Sequence, residues 1–176
     1  IGWMQGKMEF GPRALGNRSI IADPRSPDMQ KILNKKVKFR ESFRPFAPSV
    51  LKEFSHKWFE QNFESPYMLF VSKLKKSKCI KMNEIEKRFF GIKKLNVKRS
   101  NVPAITHVDY SARIQTVDRS DNLLYYKLIK SFYKRTNIPM IINTSFNVRG
   151  EPIVCSPEDA FKCFMATNLD ILVINN

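Results

Sequence analysis

The feature that most constrains this chain is a set of short segments that are apolar at nearly every position, separated by stretches with helical spacing. Ile138–Ile142 is the clearest of them. A strand with one face in water alternates apolar and polar residues, whereas a strand that is apolar throughout must be covered on both faces. Ile1–Gln5, Ser19–Ala22, Met68–Ser72, Ile114–Val117 and Asp170–Ile174 read as further short strands. Between them lie helix signals. Ser26-Pro27 places Ser as N-cap and Pro at the first helical position, with Met29, Ile32 and Leu33 as the buried stripe. Asp121 or Ser120 caps a second helix with Leu124, Leu128, Ile129 and Phe132 at helical spacing. Ser156-Pro157-Glu158-Asp159 opens a third, with Ala160, Phe161, Phe164 and Met165 inward. This alternation predicts an α/β sheet layered by helices.

The length of 176 residues suits one domain with a substantial core. A hydrophobic content of 43% argues against disorder, and no apolar run approaches the ~18 residues of a membrane-spanning helix. Gly2, Gln5 and Lys7 break any signal-peptide pattern. Because the chain opens on Ile1, inside a predicted strand, it reads as a piece of a longer polypeptide. Cys79, Cys155 and Cys163 form no C-x-x-C pair, which points to a reducing, cytoplasmic compartment. His56 and His107 are too few and too far apart for an ordinary zinc site, and no metal ligands are assigned.

The formal net charge is +15, so an anionic partner is expected. Residues 73–99 hold eleven Lys/Arg against Glu84 and Glu86. Such a run reads first as a solvated surface element, with an RNA- or membrane-contacting patch as the alternative. Leu74, Ile80, Met82, Ile85 and Phe89 suggest partial packing through a short helix near 83–90. Residues 73–101 are treated as a lysine-rich excursion from the domain.

Three polar segments carry the candidate chemistry. Glu9–Ser19 contains two glycines and a proline, and presents Arg13 and Arg18 from a tight backbone. Guanidinium forks held this way suit phosphate oxygens. Lys38–Pro48 alternates cations with aromatics. If extended, it sets Lys38, Arg40, Ser42 and Arg44 on one face and anchors Phe39 and Phe43 on the other. Asn143–Pro152 follows an apolar strand, beyond whose carboxyl end ligands of open α/β sheets sit, and offers Asn143, Ser145 and Asn147. Each segment has a plain structural alternative as a tether or a hydrogen-bonded turn. Thr106–Thr116 adds His107, Asp109 and Arg113, where His107 with Asp109 is either an acid/base pair or a structural contact. Walker-type, dinucleotide-type, nucleophile-elbow and H-E-x-x-H motifs are absent from the sequence. Any catalysis here therefore works by positioning phosphates and stabilising charge.

Taken together, M-E-F-G-P-R-A-L-G-N-R-S-I (8–20), A-D-P-R (22–25), F-R-E-S-F-R-P-F-A-P-S-V (39–50), P-A-I-T-H-V-D-Y-S-A-R-I-Q-T-V (103–117) and N-T-S-F-N-V-R-G-E-P-I-V-C-S-P-E-D-A (143–160) form a pattern. The chain resembles the C-terminal domain of NodU/CmcH-type O-carbamoyltransferases over its whole length apart from about 73–101. One departure is Tyr110-Ser111, where many relatives place Gly followed by Thr or Ser.

The resemblance implies a single YrdC-like α/β domain, a twisted mixed sheet flanked by helices with a basic nucleotide-binding face. It implies that the domain takes carbamoyl phosphate and ATP, with Mg²⁺ accompanying ATP, to carbamoyl-adenylate. A covalently linked N-terminal actin-like ATPase-type domain, absent from this chain, would then carbamoylate an acceptor hydroxyl, so the domain alone would not complete transfer. On matching positions, Lys38, Arg44, Arg113 and Ser145 would be catalytic. Arg13, Arg18, Arg40, His107, Asn143 and Asn147 would bind substrate or nucleotide. A homodimer is left open, no membrane partner is expected, and nucleic acid is disfavoured. An RNA-binding or tRNA-modifying YrdC-like module is the alternative.

Overall fold

A computed structural model describes residues 1–175. Strands β1 (Gly2–Met4) and β2 (Arg18–Ala22) form an antiparallel pair. A single α-helical turn, α1 (Met29–Ile32), then runs into a π-helical turn over Leu33–Val37. Next come β3 (Ala47–Leu51), α2 (Lys52–Trp58) and β4 (Val71–Lys73). The lysine-rich segment holds two short helices, α3 (Glu84–Lys87) and α4 (Gly91–Leu95). After it lie β5 (Ser111–Arg113), β6 (Gln115–Val117), α5 (Leu123–Thr136), β7 (Met140–Ser145), α6 (Pro157–Met165) and β8 (Leu172–Ile174).

Six strands make a mixed sheet in the order β6-β3-β7-β2-β1-β8, and β4 pairs with β5 beside it. Parallel pairs (β3 with β6, β1 with β8) join antiparallel ones, giving the single α/β domain expected from the alternation of elements. Successive strand residues enter opposite cores, as the period of two requires. Met4, Ile20, Val50, Met140 and Ile142 face one core, with Leu33, Val37, Ala160 and Cys163. Trp3, Ile21, Leu51, Val117 and Ile141 face the other, with Tyr125 and Ile129 of α5. Both faces are covered, so Met140-Ile141-Ile142 shows no alternation in the sequence.

Several local expectations shift. The first helix begins at Met29 rather than Pro27, because a reverse turn closed by the Met29 amide donating to Ser26 O comes first. Asn122, not Asp121 or Ser120, caps α5 by accepting from the Tyr125 amide, and this rotates the buried stripe onto Tyr125 and Ile129 while Leu124 is exposed. In α6 the Ser156 capping box forms as read, but Phe161 and Met165 lie outward while Ala160 and Cys163 are buried. The strand near 68–72 is displaced to Val71–Lys73, since Met68 sits at φ +56. The helix near 83–90 divides at Phe90–Gly91.

The loop between β1 and β2 closes over α5 at Gly16. Its φ is +113, and a Cβ there would lie 2.5 Å from the Tyr125 ring. Trp3 Nε1 donates to Gly16 O at 2.8 Å, fixing the same point from the other strand. No other residue type fits that close approach without displacing the ring.

Candidate functional site

β7 ends where β2, β3 and β6 begin, since Ser145 pairs with Ser19, Asn143 with Ala47, and Ser49 with Gln115. The loops carrying the sequence-predicted residues therefore meet at one end of the sheet. Lys38, Arg40, Arg44, Ser145, Asn147, Val148, Arg149 and Gly150 line a cavity of about 240 Å³ there.

The cations reach it by a route the sequence hides. The Lys38–Pro48 segment is not extended. The π-helical turn ends with the Lys38 amide donating to Leu33 O, and Phe39 follows at φ +48. Fully buried Asn34 then gathers the segment: its Nδ2 donates to Ser42 O and to Arg44 O, while its Oδ1 accepts from Arg40 Nε at 2.7 Å. Phe39 and Phe43 accordingly stay exposed. Phe46 is the buried anchor, with the Arg40 guanidinium 5.0 Å from its ring centre.

Lys38 is buried, and its Nζ lies 2.6 Å from Ser145 O, 3.3 Å from Ser145 Oγ, 2.9 Å from Asn147 O and 2.7 Å from Asn147 Oδ1. Burial first, then the Arg40 charge, bring its pKa down to about 7. Four oxygen acceptors suit an ammonium, which has three N–H donors and no lone pair, better than a neutral amine. The charged form is thus the one this cage is built to hold. At the rim, Glu41 sits between two arginines, with Oε2 2.9 Å from Arg44 Nε and Oε1 3.7 Å from Arg149 Nη1.

A second group stands two residues back along β7. Asn143 Nδ2 donates to Ala14 O in the β1–β2 loop and to Gln115 Oε1. Burial, and then the nearby Arg13 charge, hold the Arg113 pKa below the usual arginine range. Arg13 Nε, Glu9 Oε2 and Asn143 Oδ1 are buried without a hydrogen-bond partner.

Two sequence-predicted residues lie apart from both groups. Arg18 is buried and spends every guanidinium nitrogen on main-chain oxygens: Nη1 on Gln5, Gly6 and Asn17, and Nε and Nη2 on Cys155. It clasps the β1–β2 hairpin to the segment before α6. His107 lines a separate hollow with Phe43, Pro45 and Thr106. Burial lowers its pKa first, and Asp109 opposes that. Asp109 Oδ1 accepts from the Ser111 amide and hydroxyl, which fixes the turn rather than a His107 partner. Arg149, Glu41, Asn34 and Gln115 were not singled out from the sequence. Gln115 opens β6 next to Thr116 and is buried with it.

Among the described residues there is no group of three or more His, Cys, Asp or Glu able to hold a metal ion. The described residues therefore form no all-protein Mg²⁺ cage. No helix among the described residues is long and apolar enough to cross a membrane.

The Carbamoyltransferase C-terminus family profile matches residues 1–176. The chain belongs to that family. This carbamoyltransferase C-terminus is 56% identical to protein sll1178 of Synechocystis sp. over 176 residues, all of this chain and 29% of that protein. It is 46% identical to nodulation protein NolNO of Sinorhizobium fredii over 179 residues, again the whole chain and 23% of the relative. It is 36% identical to 3'-hydroxymethylcephem-O-carbamoyltransferase of Amycolatopsis lactamdurans over 154 residues, 88% of the chain and 25% of that enzyme. It therefore spans less than a third of the curated relatives it matches, and as an O-carbamoyltransferase-type domain it stands for one part of such a protein.

Proposed function

We propose that this domain binds carbamoyl phosphate and ATP and makes carbamoyl-adenylate, which a further domain of the same polypeptide passes to an acceptor hydroxyl. The observation that carries the reading is the convergence of Lys38, Arg40, Arg44, Ser145, Asn147 and Arg149 on one cavity. The atoms balance in two steps. Water attacks the carbamoyl carbon and phosphate leaves, giving carbamate. A carbamate oxygen then attacks the α-phosphorus of ATP, and pyrophosphate leaves.

Both steps gather negative charge on reactants that already repel one another. A caged ammonium and three guanidinium groups in a partly dry cleft offset that repulsion without reorganising. A hollow of about 240 Å³ is smaller than the ~300–1,000 Å³ usual for drug-sized ligands, so it suits the carbamoyl-phosphate end. The nucleotide then extends towards Arg13 and Arg113, whose group begins about 7 Å away along β7 at ~3.3 Å per residue. Ser145 and Asn147, with hydroxyl and amide groups fixed by Lys38, orient the reacting group. The relatives' names support the transferase reading, since one of them, 36% identical over 154 residues, is a 3'-hydroxymethylcephem-O-carbamoyltransferase.

The test is carbamoyl-phosphate-dependent release of pyrophosphate from ATP by the complete polypeptide. Lys38→Met and Arg44→Ala are expected to reduce turnover by at least about 100-fold, since each removes charge-stabilising donors. Parent-like turnover in both, with the fold intact by circular dichroism, overturns the assignment.

A further inference from the structure

The end of the lysine-rich segment has a feature that the site beside β7 leaves unused. Helix α4 faces α1 across a second cavity, of about 380 Å³. Both walls are held in place. On one, buried Arg99 donates to the carbonyls of Lys94, Leu95 and Val97, which fixes the end of α4 and the chain leading to Lys98. On the other, Gln30 Nε2 donates to Phe43 O at 3.3 Å and to Arg44 O at 3.1 Å, while Asn34 Nδ2 donates to Ser42 O at 3.2 Å. Ser42 lines this cavity and Arg44 the one beside β7, so one short loop contributes to both. Three ammonium groups line the second cavity, Lys31 and Lys35 from one wall and Lys98 from the other. Asp28 is the one carboxylate in the lining, and none of the three lysines is ion-paired with it or with any other described residue. Cations gathered without a counter-ion repel one another and attract an anion.

The remaining lining is largely apolar, with Ile92, Leu95, Val97 and Pro103 on the α4 side. An apolar wall with a few converging polar groups, in a volume within ~300–1,000 Å³, is the usual make-up of a small-molecule site. We infer that this cavity is a second anion site, separate from the one beside β7, and that it takes a small phosphate ester carrying an apolar group. The phosphate lies among Lys31, Lys35 and Lys98, and the apolar part rests on Ile92, Leu95 and Pro103. The inference does not depend on the chemistry proposed for the first cavity. It gives α4 a role that a solvated surface element would not have. A polynucleotide fits less well, because these lysines line a hollow between two walls rather than a stripe along an open face.

The probe is phenyl phosphate, with inorganic phosphate as its counterpart lacking the apolar part, titrated into the complete polypeptide by calorimetry at physiological salt. The readout is the number of phenyl phosphate molecules bound. The triple variant Lys31→Gln, Lys35→Gln, Lys98→Gln should bind one fewer than the parent. The control Lys75→Gln, Lys76→Gln, Lys93→Gln removes the same charge away from the cavity and should bind as many as the parent. These lysines are exposed, so both variants keep the fold, as circular dichroism will check. Ile92→Glu, at a side chain 62% exposed, sets a carboxylate against the cavity and should lose the same molecule. Phenyl phosphate should occupy this site at least about fivefold more tightly than inorganic phosphate, because its ring leaves water. Equal counts in the two triple variants overturn the inference, whether both keep the molecule or both lose it to the general loss of charge. Equal affinity of the two probes at this site overturns the assigned ligand class. A first cavity that binds no phosphate lowers every count by one and leaves the difference between the variants untouched, so the two readings fail separately.

Discussion

Two regions of this domain are rich in positive charge, and they are built in opposite ways. In the lysine-rich segment, Lys73, Lys75, Lys76, Lys81, Lys87, Arg88, Lys93 and Lys98 stand exposed. The buried cation there, Arg99, donates to the carbonyls of Lys94, Leu95, Val97 and His107, so it holds its own loop together. Around the cavity, by contrast, Asn34 fixes the loop, Phe46 supports Arg40, and Lys38 is caged by β7 and the turn after it. The first region has more charge and the second has more order. Charge that is free to move is screened and binds weakly, whereas charge fixed before the ligand arrives has already met the cost of ordering.

The comparison can be broken most severely at its ordering residues. Gly16→Ala should destabilise the domain by at least about 2–3 kcal/mol in chemical denaturation, because the new methyl drives into the Tyr125 ring at an unsuitable φ. Asn34→Leu leaves Ser42 O without its donor and Arg40 Nε without its acceptor, and should cost ~2–4 kcal/mol while weakening anion binding beyond the loss in stability.

The Lys38 environment predicts a pH dependence of defined sign. Its folded pKa of about 7 lies below its usual 10.5. Between these values the unfolded chain holds a proton that the folded chain lacks, so this residue's contribution to stability rises with pH across that window. Anion binding runs the other way, since it draws the ammonium form. Affinity for sulfate, which does not titrate in this range, should fall by up to about tenfold per pH unit above 7 in calorimetry. In Lys38→Met it should be weak and flat with pH; equal slopes in both proteins would remove Lys38 from the site. The smallest effect is expected in the other region. Replacing Lys75, Lys76, Lys93 and Lys98 with Gln should change turnover by less than about twofold, because exposed, unordered charges contribute little. A salt-dependent RNA affinity lost in that variant would instead make the segment a nucleic-acid surface.

What could be read from the sequence follows the same division. Apolar runs such as Ile141-Ile142 announce burial on both faces, and the Ser156-Pro157 start works because a capping box is local. Lys38, Arg40, Arg44, Ser145 and Asn147 stand out in the sequence as clustered polar groups, and they line one cavity. Their scaffold does not stand out. Asn34 sits in a polar Asn-Lys-Lys stretch, and its burial exists only because the π-helical turn swings it inward. Arg18 and Arg13 share one motif, yet Arg18 is spent on carbonyls that come from distant points of the chain, including Cys155. Tyr110 shows the reverse. Its φ of +63 is one a glycine holds without strain, and its hydroxyl donates to Ile80 O at 3.0 Å, tying the lysine-rich segment to the frame.

The most direct test of the central claim is a crystal structure of the domain soaked with carbamoyl phosphate and a non-hydrolysable ATP analogue. The account predicts the carbamoyl-phosphate group between Lys38, Arg44 and Ser145, with the nucleotide phosphates reaching Arg13 and Arg113. Ligand density on the lysine-rich face instead, with the cavity beside β7 holding only water, would contradict it.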